Sequence, residues 1–329
     1  MLVLGAGSWG TALALVLARR GRRVFLWDVD DAHMRALIAD RRNARHLPDF
    51  PFPGTLVPVA GLREVPGGSS DLVLAVPCEG LRDSLGLLKR ETGRPWRTCI
   101  ASKGLEPGAA TLNHEIVRQC LGDVPVAVLS GPSFAREVAA DYPTAVTIAS
   151  DDADTAAFFA DAFHGGNFRV YTHDDLVGVQ VGGAVKNVMA IAAGIADGLG
   201  FGSNTRAALI TRGLAEITRL GLAMGARRET FTGLAGLGDL VLTCTDDQSR
   251  NRRMGLALAR GSSMADARAA IGQAVEGVRT AEAVCSLAEK YGVDMPISLN
   301  VRAVVRGEVS PRDAVQALLA RERKSEDGQ

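Results

Sequence analysis

The sequence is poor in features that define several large classes of protein. Lys plus Arg and Asp plus Glu both total 37, so the chain has no net charge with which to attract nucleic acid or an anionic membrane. The five cysteines form no C-x-x-C pair, which argues against a disulfide framework and favours a reduced, cytoplasmic protein. The five histidines form neither an H-x-x-x-H nor an H-E-x-x-H pair, so we expect no metal site.

Long apolar runs are scarce as well. The longest apolar-looking stretch, residues 178–200, carries Lys186, Asn187 and Asp197, and it is therefore predicted to be a buried helix rather than a membrane span. We expect neither a signal peptide nor integral membrane association. Aromatic residues make up only 5% of the chain against 47% hydrophobic residues, which is typical of an alanine- and leucine-rich enzyme with much helix.

The most informative feature that is present is the hexapeptide Gly-Ala-Gly-Ser-Trp-Gly at residues 5–10. An apolar strand precedes it and an apolar helical run follows it, which is the context required of a dinucleotide-binding turn. Gly5 permits the tight turn, Gly7 lets the backbone approach a pyrophosphate, and Gly10 lets the helix lie close on the sheet. Asp28 ends the next strand, where an acid pairs with a ribose 2′-hydroxyl.

The first half of the sequence alternates short apolar strands with helical stretches, which predicts a doubly wound, mostly parallel α/β sheet of the Rossmann type. From about residue 176 the periodicity is helical. We therefore predict a dinucleotide-binding Rossmann domain over 1–175 and an all-α substrate domain over 176–329, whose polar end from residue 321 frays. The predicted strands are 2–4, 24–27, 72–76, 98–101, 126–129, 144–149 and 168–171.

Lys186 lies in an apolar helical stretch whose only other polar residues nearby are Gln180 and Asn187. Desolvation lowers the pKa of an ammonium, by up to about 3–5 units when burial is complete, and such a lysine exchanges a proton with an alcohol or carbonyl oxygen. Gly182 and Gly183 precede Lys186 on the same helical face and predict a channel over its side chain. The spacing supports equally a lysine whose amine reaches solvent.

Two further polar sites lie in the second half of the chain. Asp239 stands among small and apolar residues, so it needs a cation, for which Lys186 is the candidate; the alternative is a helix N-cap. In the polar run at 245–253, Arg250 has the fork that binds phosphate, and Ser249 and Asn251 add neutral donors. Taken alone, this run is more typical of a charged surface loop.

Three more candidates depend on their position. Lys103 follows a predicted strand and places a cation at the edge of the sheet where ligands bind. The segment Gly131–Ser133 is typical of a helix start, with donors that face an anion or with no ligand at all. Glu276 has no signal of its own and by itself is typical of a surface acid.

Six segments of the sequence are informative together: GAGSWGTALA (5–14), SKGLE (102–106), SGPSFAREVA (130–139), GVQVGGAVKNV (178–188), RAALITRGLAEITRLG (206–221) and GLAGLGDLVLTCTDDQSRNRR (233–253). Over nearly the whole chain they resemble one family, the bacterial-type NAD(P)-dependent glycerol-3-phosphate dehydrogenases. The last two of these motifs are far more diagnostic than the glycine fingerprint.

The resemblance implies reversible reduction of dihydroxyacetone phosphate to sn-glycerol 3-phosphate, the precursor of glycerophospholipids, by a cytoplasmic enzyme that is usually a homodimer. It implies that Lys186 is the proton acceptor. The implied cofactor contacts beyond the glycine turn are Ser8, Trp9, Lys103, Ala135, Arg250 and Glu276. The implied substrate contacts are Lys103, Gly131, Ser133, Lys186, Asp239, Ser249, Arg250 and Asn251.

The expected cofactor is NAD(P)H. No arginine follows Asp28 directly, and an acid there repels a 2′-phosphate, so we favour NADH although the family often uses NADPH. Arg22 and Arg23 precede this strand and could still fold over it. Two alternatives stay open: another two-domain dehydrogenase that acts on β-hydroxyacids or acyl-CoA, and a dinucleotide-binding sensor without turnover, which would have no use for a buried lysine.

Overall fold

The computed structural model describes residues 1–322, so residues 323–329, part of the segment predicted to fray, lie outside the described residues. The strands are β1 (Leu2–Leu4), β2 (Val24–Trp27), β3 (Arg42–Asn43), β4 (Leu47–Pro51), β5 (Leu56–Pro58), β6 (Asp71–Leu74), β7 (Arg97–Ile100), β8 (Val126–Ser130), β9 (Thr144–Ala149) and β10 (Phe168–His173). The helices of the first half are α1 (Ser8–Arg19), α2 (Asp31–Asp40), α3 (Leu81–Thr92), α4 (Asn113–Leu121), α5 (Ala135–Ala139) and α6 (Ala153–Phe163).

After β10 the described residues contain helices and no further strand, which confirms the predicted all-α second half. A π-helical segment at Leu234–Gly238 leads directly into one of these helices. The helices are α7 (Leu176–Gly198), α8 (Ser203–Ala223), α9 (Arg228–Thr232), α10 (Asp239–Thr245), α11 (Arg250–Ala259), α12 (Met264–Ile271), α13 (Glu276–Tyr291), α14 (Pro296–Arg306) and α15 (Pro311–Leu319).

The main sheet is eight-stranded within the described residues, in the order β10-β9-β8-β7-β6-β1-β2-β5. Neighbouring strands are parallel except β8 and β9, which are antiparallel. Its central strands are almost wholly apolar because helices cover both faces of the sheet. The predicted doubly wound, mostly parallel Rossmann sheet is therefore confirmed.

Three short strands are not predicted by the sequence. Strand β5 adds to the edge of the main sheet beside β2, and β3 and β4 form a separate antiparallel hairpin. Proline ends both β4 and β5, and it lacks the N–H that a central strand would need, so the sequence pattern there is that of a loop. The predicted strand at 72–76 ends two residues early, at Leu74.

Helix α7 is the centre of the helical half. It is the one helix in residues 1–322 that is long and apolar enough to cross a membrane, and 94% of its most apolar window is buried inside the protein. The prediction of a buried helix here is confirmed. Helices α8, α10, α11 and α13 pack around it.

Two glycines set how closely α11 lies on α7. A Cβ atom at Gly194 would lie 2.0 Å from the carbonyl oxygen of Arg252, and one at Gly255 would lie 2.1 Å from that of Ile191. Because no side chain fits at either position, the two backbones meet directly. Helix α11 consequently lies against the C-terminal half of α7.

Candidate active site

The glycine turn has the geometry of a phosphate-binding site. Gly5 has φ +105°, and a Cβ atom there would lie 2.7 Å from the backbone of Ala75, while one at Gly10 would lie 1.9 Å from the carbonyl oxygen of Gly5. Gly7 has no atom within 4 Å of its Cβ position, and no side chain caps the N-terminus of α1. Open space beside uncapped N–H groups fits a pyrophosphate.

The end of β2 lies beside this turn. Oδ2 of Asp28 accepts a hydrogen bond from the Ala6 N–H (2.7 Å), and Oδ1 accepts one from the Asp30 N–H (3.1 Å). Arg23 lies before β2, and its guanidinium lies over the Phe25 ring, 5.6 Å from the ring centre, rather than over the turn. The sequence does not indicate that Arg45 lies near this strand end. The β3–β4 hairpin places its guanidinium 3.2 Å from the carboxylate of Asp30.

Ser8 and Trp9 begin α1 at the carboxyl edge of the sheet. The indole Nε1 of Trp9 donates to the carbonyl oxygen of Ala101 (3.0 Å), which fixes the ring against the end of β7. The Lys103 ammonium lies 5.9 Å from the centre of the Trp9 ring. The glycine turn and the loop after β7 therefore face one crevice.

The loop after β8 reaches the same crevice, although its helix begins later than expected. Helix α5 begins at Ala135 and not within Gly131–Ser133, and the hydroxyl of Ser133 donates to the carbonyl oxygen of Gly131 (2.9 Å). This loop is therefore stabilised by its own hydrogen bonds before the helix starts.

Asp239 is held between two lysines that come from different halves of the chain. Nζ of Lys186 lies 2.5 Å from Oδ1, and Nζ of Lys103 lies 2.8 Å from Oδ2 and 2.9 Å from the carbonyl oxygen of Gly131. The side chains of Asp239 and Lys186 are 1% and 8% exposed. The predicted Lys186–Asp239 pair is confirmed, whereas the sequence does not reveal that Lys103 shares the same carboxylate.

Thr243 completes the surroundings of the lysine. Its hydroxyl accepts a hydrogen bond from Lys186 Nζ (2.9 Å) and donates to the carbonyl oxygen of Asp239 (2.6 Å). Sequence reasoning missed this residue, although its i+4 spacing from Asp239 places both on one face of α10. Asp239 is the first residue of that helix rather than its N-cap, so its carboxylate is free to face the lysines.

The predicted channel over the Lys186 side chain is wrong. A Cβ atom at Gly182 would lie 2.7 Å from the carbonyl oxygen of Ala235, and one at Gly183 would lie 2.9 Å from Oγ of Ser130. These glycines let the π-helical segment and the end of β8 pack directly on α7. Their absent side chains serve to bring Asp239 and Lys103 to the lysine.

Burial and charge set the protonation of this cluster. Burial lowers the pKa of Lys186 to about 8, with Asp239 opposing the shift and Lys103 adding to it. Burial alone would raise the pKa of Asp239, but the two lysines outweigh it and lower that pKa below its usual value. The lysine therefore holds a proton at neutral pH and releases it at mildly alkaline pH, as a general acid and base must.

Glu276, the first residue of α13, is half-buried and faces the same cations. Burial raises its pKa, and the positive charges of Arg250, Lys186 and Lys103 partly offset that rise. Its interpretation as an ordinary surface acid is therefore wrong.

Arg250 and Ser249 start α11. The hydroxyl of Ser249 is the N-cap and accepts the N–H of Arg252 (3.2 Å), and the Arg252 guanidinium pairs with Asp197 (2.6 Å). The half-buried Arg250 donates only to the Gln273 side chain (3.3 Å) and has no ion pair within residues 1–322. Of these two arginines, Arg250 is the one left for an anionic ligand.

Asn251 links three helices. Its Nδ2 donates to Oδ1 of Asn187 on α7 (2.9 Å), and its Oδ1 accepts the N–H of Gly277 on α13 (2.9 Å). One N–H of the amide is left for a ligand. The residue thus fixes the position of the α11 N-terminus as well as offering a donor.

The described residues hold no group of three His, Cys, Asp or Glu side chains placed to bind a metal ion, and the five cysteines are free thiols. The chemistry available is that of a buried lysine facing a nucleotide-binding sheet edge. This fold and this site together define the class of two-part, NAD(P)-dependent dehydrogenases.

Models of the N-terminal and C-terminal parts of NAD-dependent glycerol-3-phosphate dehydrogenase match residues 1–156 and 175–316. The chain belongs to this family of enzymes. The family resemblance carried by the sequence motifs is confirmed, and so are the dehydrogenase assignment and the use of NAD(P).

The chain aligns with similar proteins over nearly their full lengths. The chain is 54% identical to glycerol-3-phosphate dehydrogenase [NAD(P)+] of Nitrosococcus oceani over 99% of this chain and 95% of the relative. It is 55% identical to that of Thioalkalivibrio sulfidiphilus, covering 98% of each. A crystal structure of glycerol-3-phosphate dehydrogenase from Coxiella burnetii matches with a TM-score of 0.94 at 48% identity, covering 97% of this chain and 98% of that one.

More distant structures share the fold alone. A ketopantoate reductase from Ralstonia eutropha aligns with a TM-score of 0.58 at 18% identity, covering 96% of this chain. Because the chain belongs to the glycerol-3-phosphate dehydrogenase family, the alternatives of a different two-domain dehydrogenase and of a sensor without turnover are set aside.

Proposed function

We propose that Lys186 transfers the proton in the reversible NAD(P)H-dependent reduction of dihydroxyacetone phosphate to sn-glycerol 3-phosphate. The observation that carries this assignment is the buried Lys186 ammonium, 2.5 Å from Asp239 and with a pKa lowered to about 8. When bound, NAD(P)H supplies the hydride for carbon two of the ketone. Protonated Lys186 polarises the carbonyl and gives its oxygen a proton; in the reverse direction neutral Lys186 takes the hydroxyl proton.

Asp239 and Lys103 support this proton transfer. Asp239 holds the Lys186 ammonium in place and opposes the loss of its proton, whereas the positive charge of Lys103 favours that loss. Lys103 is also on the crevice side of the cluster, beside Trp9, where it meets both cofactor and substrate. The two lysines thus have different tasks around one carboxylate.

Arg250 binds the substrate phosphate in this proposal, with Ser249 and Asn251 adding neutral donors. The guanidinium without an ion pair and the uncommitted N–H of Asn251 support this assignment. Gly131 and Ser133 contact the substrate from the sheet side. Packing the substrate between the two halves excludes water from the site of hydride transfer.

The cofactor is held by the Gly5–Gly10 turn, with its pyrophosphate in the open space at Gly7 and further contacts from Ser8, Trp9, Asp28, Lys103, Ala135, Arg250 and Glu276. The Asp28 carboxylate beside the turn supports a preference for NADH, because a 2′-phosphate would be repelled. Asn keeps an acceptor for the Ala6 N–H but has no charge. We expect Asp28→Asn to lower the ratio of kcat/KM for NADH over NADPH about tenfold. A wild-type preference for NADPH would remove this part of the proposal.

The deciding assay follows cofactor absorbance with dihydroxyacetone phosphate, once with NADH and once with NADPH. A 2-keto acid and an acyl-CoA ketone serve as matched alternative substrates. We expect turnover of the phosphate ketone alone. Preference for the carboxylate or thioester would overturn the substrate assignment, and tight NADH binding with no oxidation by any ketone would indicate a sensor.

We also propose that residues 1–175 form the cofactor domain and 176–329 the substrate domain of a cytoplasmic homodimer that supplies glycerophospholipid synthesis. The change from strands to helices at α7 supports the boundary. The five free thiols support a reducing compartment. Light scattering after size exclusion tests the dimer, and cell fractionation tests the location.

A further inference from the structure

A small cavity lies beneath Lys103, at a place that the proposed chemistry does not use. It lies between the ends of β7 and β8, the start of α4 and one face of α7, is partly open, and has a volume of about 10 Å³. Its lining residues are Ser102, Lys103, Gly104, Asn113, Val128, Leu129, Ser130, Val179, Gln180 and Gly183.

Two buried oxygen atoms of this lining have no hydrogen-bond partner. They are Oδ1 of Asn113 and Oγ of Ser130, in side chains that are almost wholly buried. A buried polar atom without a partner costs about 1–3 kcal/mol, so two of them in one small cavity need an explanation. Both atoms are neutral, and one is an acceptor while the other both donates and accepts.

Asn113 also fixes the backbone around Lys103. Its Nδ2 donates to the carbonyl oxygens of Ser102 (3.3 Å) and Gly104 (3.4 Å), the residues on either side of the lysine. Those two carbonyls also determine which way the amide points, because only Nδ2 can donate to them. Oδ1 is therefore the atom that lacks a partner.

Ser130 precedes the residue whose carbonyl oxygen binds the Lys103 ammonium. Gly131, the following residue, accepts the bond from Lys103 Nζ (2.9 Å). Gly183 leaves the room that this hydroxyl and the lysine stem require, since a Cβ atom there would lie 2.9 Å from Oγ and 3.8 Å from Lys103 Cγ. The cavity thus adjoins both segments that hold Lys103.

The volume of the cavity and the chemistry of its two unpaired oxygen atoms indicate which ligand it binds. A cavity of about 10 Å³ has room for a single water molecule, and a buried water needs two to four polar partners. A metal ion is disfavoured because an amide and a hydroxyl supply no negative charge to compensate its own. An apolar ligand would leave both oxygens unsatisfied.

We propose that one buried water molecule binds between Asn113 Oδ1 and Ser130 Oγ, and that Asn113 together with this water is a positioning element for Lys103. The role toward Lys103 rests on the proposed function; the water site does not. Lys103 must keep its amine between Asp239 and the crevice, and a long side chain stays there only if its backbone is fixed at both flanking peptides.

The water site is tested by stability and by crystallography. Ser130→Ala removes one partner of the bridge, so we expect its Tm to fall by about 2–4 °C. Ser150→Ala is the matched control, because that buried hydroxyl donates directly to the Val126 carbonyl (2.7 Å), accepts the Asp152 N–H (3.1 Å) and should cost at least as much. A Tm that stays constant or rises in Ser130→Ala means that the hydroxyl had no partner, which overturns the proposal.

A double variant and a crystal structure complete the test of the water site. The Tm losses of Ser130→Ala and Asn113→Leu should be less than additive in the double variant, because either change removes the same water. Fully additive losses contradict a shared bridge. A high-resolution crystal structure of the wild type should show density within hydrogen-bond distance of both oxygens, and its absence contradicts the site.

The positioning role is tested by kinetics on the folded variants. We expect Asn113→Leu to lower kcat/KM for dihydroxyacetone phosphate on the order of tenfold, while Ser150→Ala keeps the wild-type value. The charge of Lys103 lowers the pKa of Lys186, so a displaced Lys103 should also move the midpoint of the pH profile upward. Unchanged kinetics and pH profile would overturn this role. A wild type inactive on this ketone refutes the proposed function instead, and the Tm tests remain decisive for the water.

Discussion

The Nζ atom of Lys186 lies 2.5 Å from Oδ1 of Asp239, and both side chains are buried. The other oxygen of the same carboxylate binds Lys103, 136 residues earlier in the chain. One anion therefore compensates two cations and joins the nucleotide-binding half to the helical half. Since a buried charge is costly unless partnered, loss of either lysine would leave part of the Asp239 charge uncompensated at the point where the two halves meet.

Replacement of Lys186 by methionine tests its role in proton transfer. Methionine keeps the length of the side chain without the amine, and Lys103 still partners Asp239, so we expect a folded protein. The expected kcat is about 10²–10⁴-fold lower, the range that general acid–base groups contribute. Steady-state assays in both directions measure it, with circular dichroism to verify folding. Turnover that survives the change would contradict the assignment.

The pH dependence of the two directions should be opposite. Reduction of the ketone needs protonated Lys186, so its kcat/KM is expected to fall as pH rises through about 8, the pKa to which burial lowers this group. Oxidation of the alcohol needs neutral Lys186, so its kcat/KM is expected to rise across the same interval. Profiles from pH 6 to 10 at saturating cofactor measure both; a flat profile in either direction argues against Lys186.

Removal of the Arg250 guanidinium should weaken substrate binding. A charge-assisted bond to a buried phosphate is worth about 1.5–3 kcal/mol, so Arg250→Ala is expected to raise KM for dihydroxyacetone phosphate about 10–100-fold. Arg253→Ala is the control, because this neighbouring arginine of α11 is exposed. Equal effects of the two changes, or an unchanged KM in Arg250→Ala, would exclude Arg250 from phosphate binding.

Glu216 links two helices of the second half, away from the reaction. Buried in α8, it accepts the N–H groups of Ile297 (2.6 Å) and Ser298 (3.2 Å) at the start of α14. Burial raises the pKa of Glu216 to about 7, and these hydrogen bonds and Arg219 only partly oppose the rise. The folded state therefore holds this proton more tightly than the unfolded state does.

Glu216 should consequently contribute to the dependence of stability on pH. Its contribution is complete below the unfolded pKa of about 4.5 and is lost as pH rises through about 7, a change of about 3 kcal/mol in the free energy of unfolding. Glu216→Gln cannot titrate and should flatten that part of the curve. Urea unfolding at pH 5 and pH 8 measures the difference. The exposed Glu229→Gln should keep the wild-type dependence; if Glu216→Gln keeps it too, another group is responsible.

The sequence by itself determined what depends on neighbours along the chain. The glycine spacing at residues 5–10 needs only one turn between one strand and one helix, and the structure shows why side chains are excluded at Gly5 and Gly10. The apolar run around Lys186 predicts a buried helix, because a helix with no polar face belongs in the core, but it leaves open whether the amine of Lys186 itself reaches solvent. The family motifs identified the chemistry for the same reason, since each is a continuous segment.

Only the tertiary structure decided which distant groups meet. Lys103 and Asp239 share a contact across 136 residues, and no local pattern in either segment encodes it. The role of Gly182 and Gly183 likewise depends on what packs against them, so the predicted channel turned out to be a close contact with Ala235 and Ser130. Strands β4 and β5 contain proline and β3 has only two residues, so none of the three shows a strand pattern without its partner. Such features depend on contacts between segments that are distant in the sequence. The periodicity within one segment carries no information about those contacts.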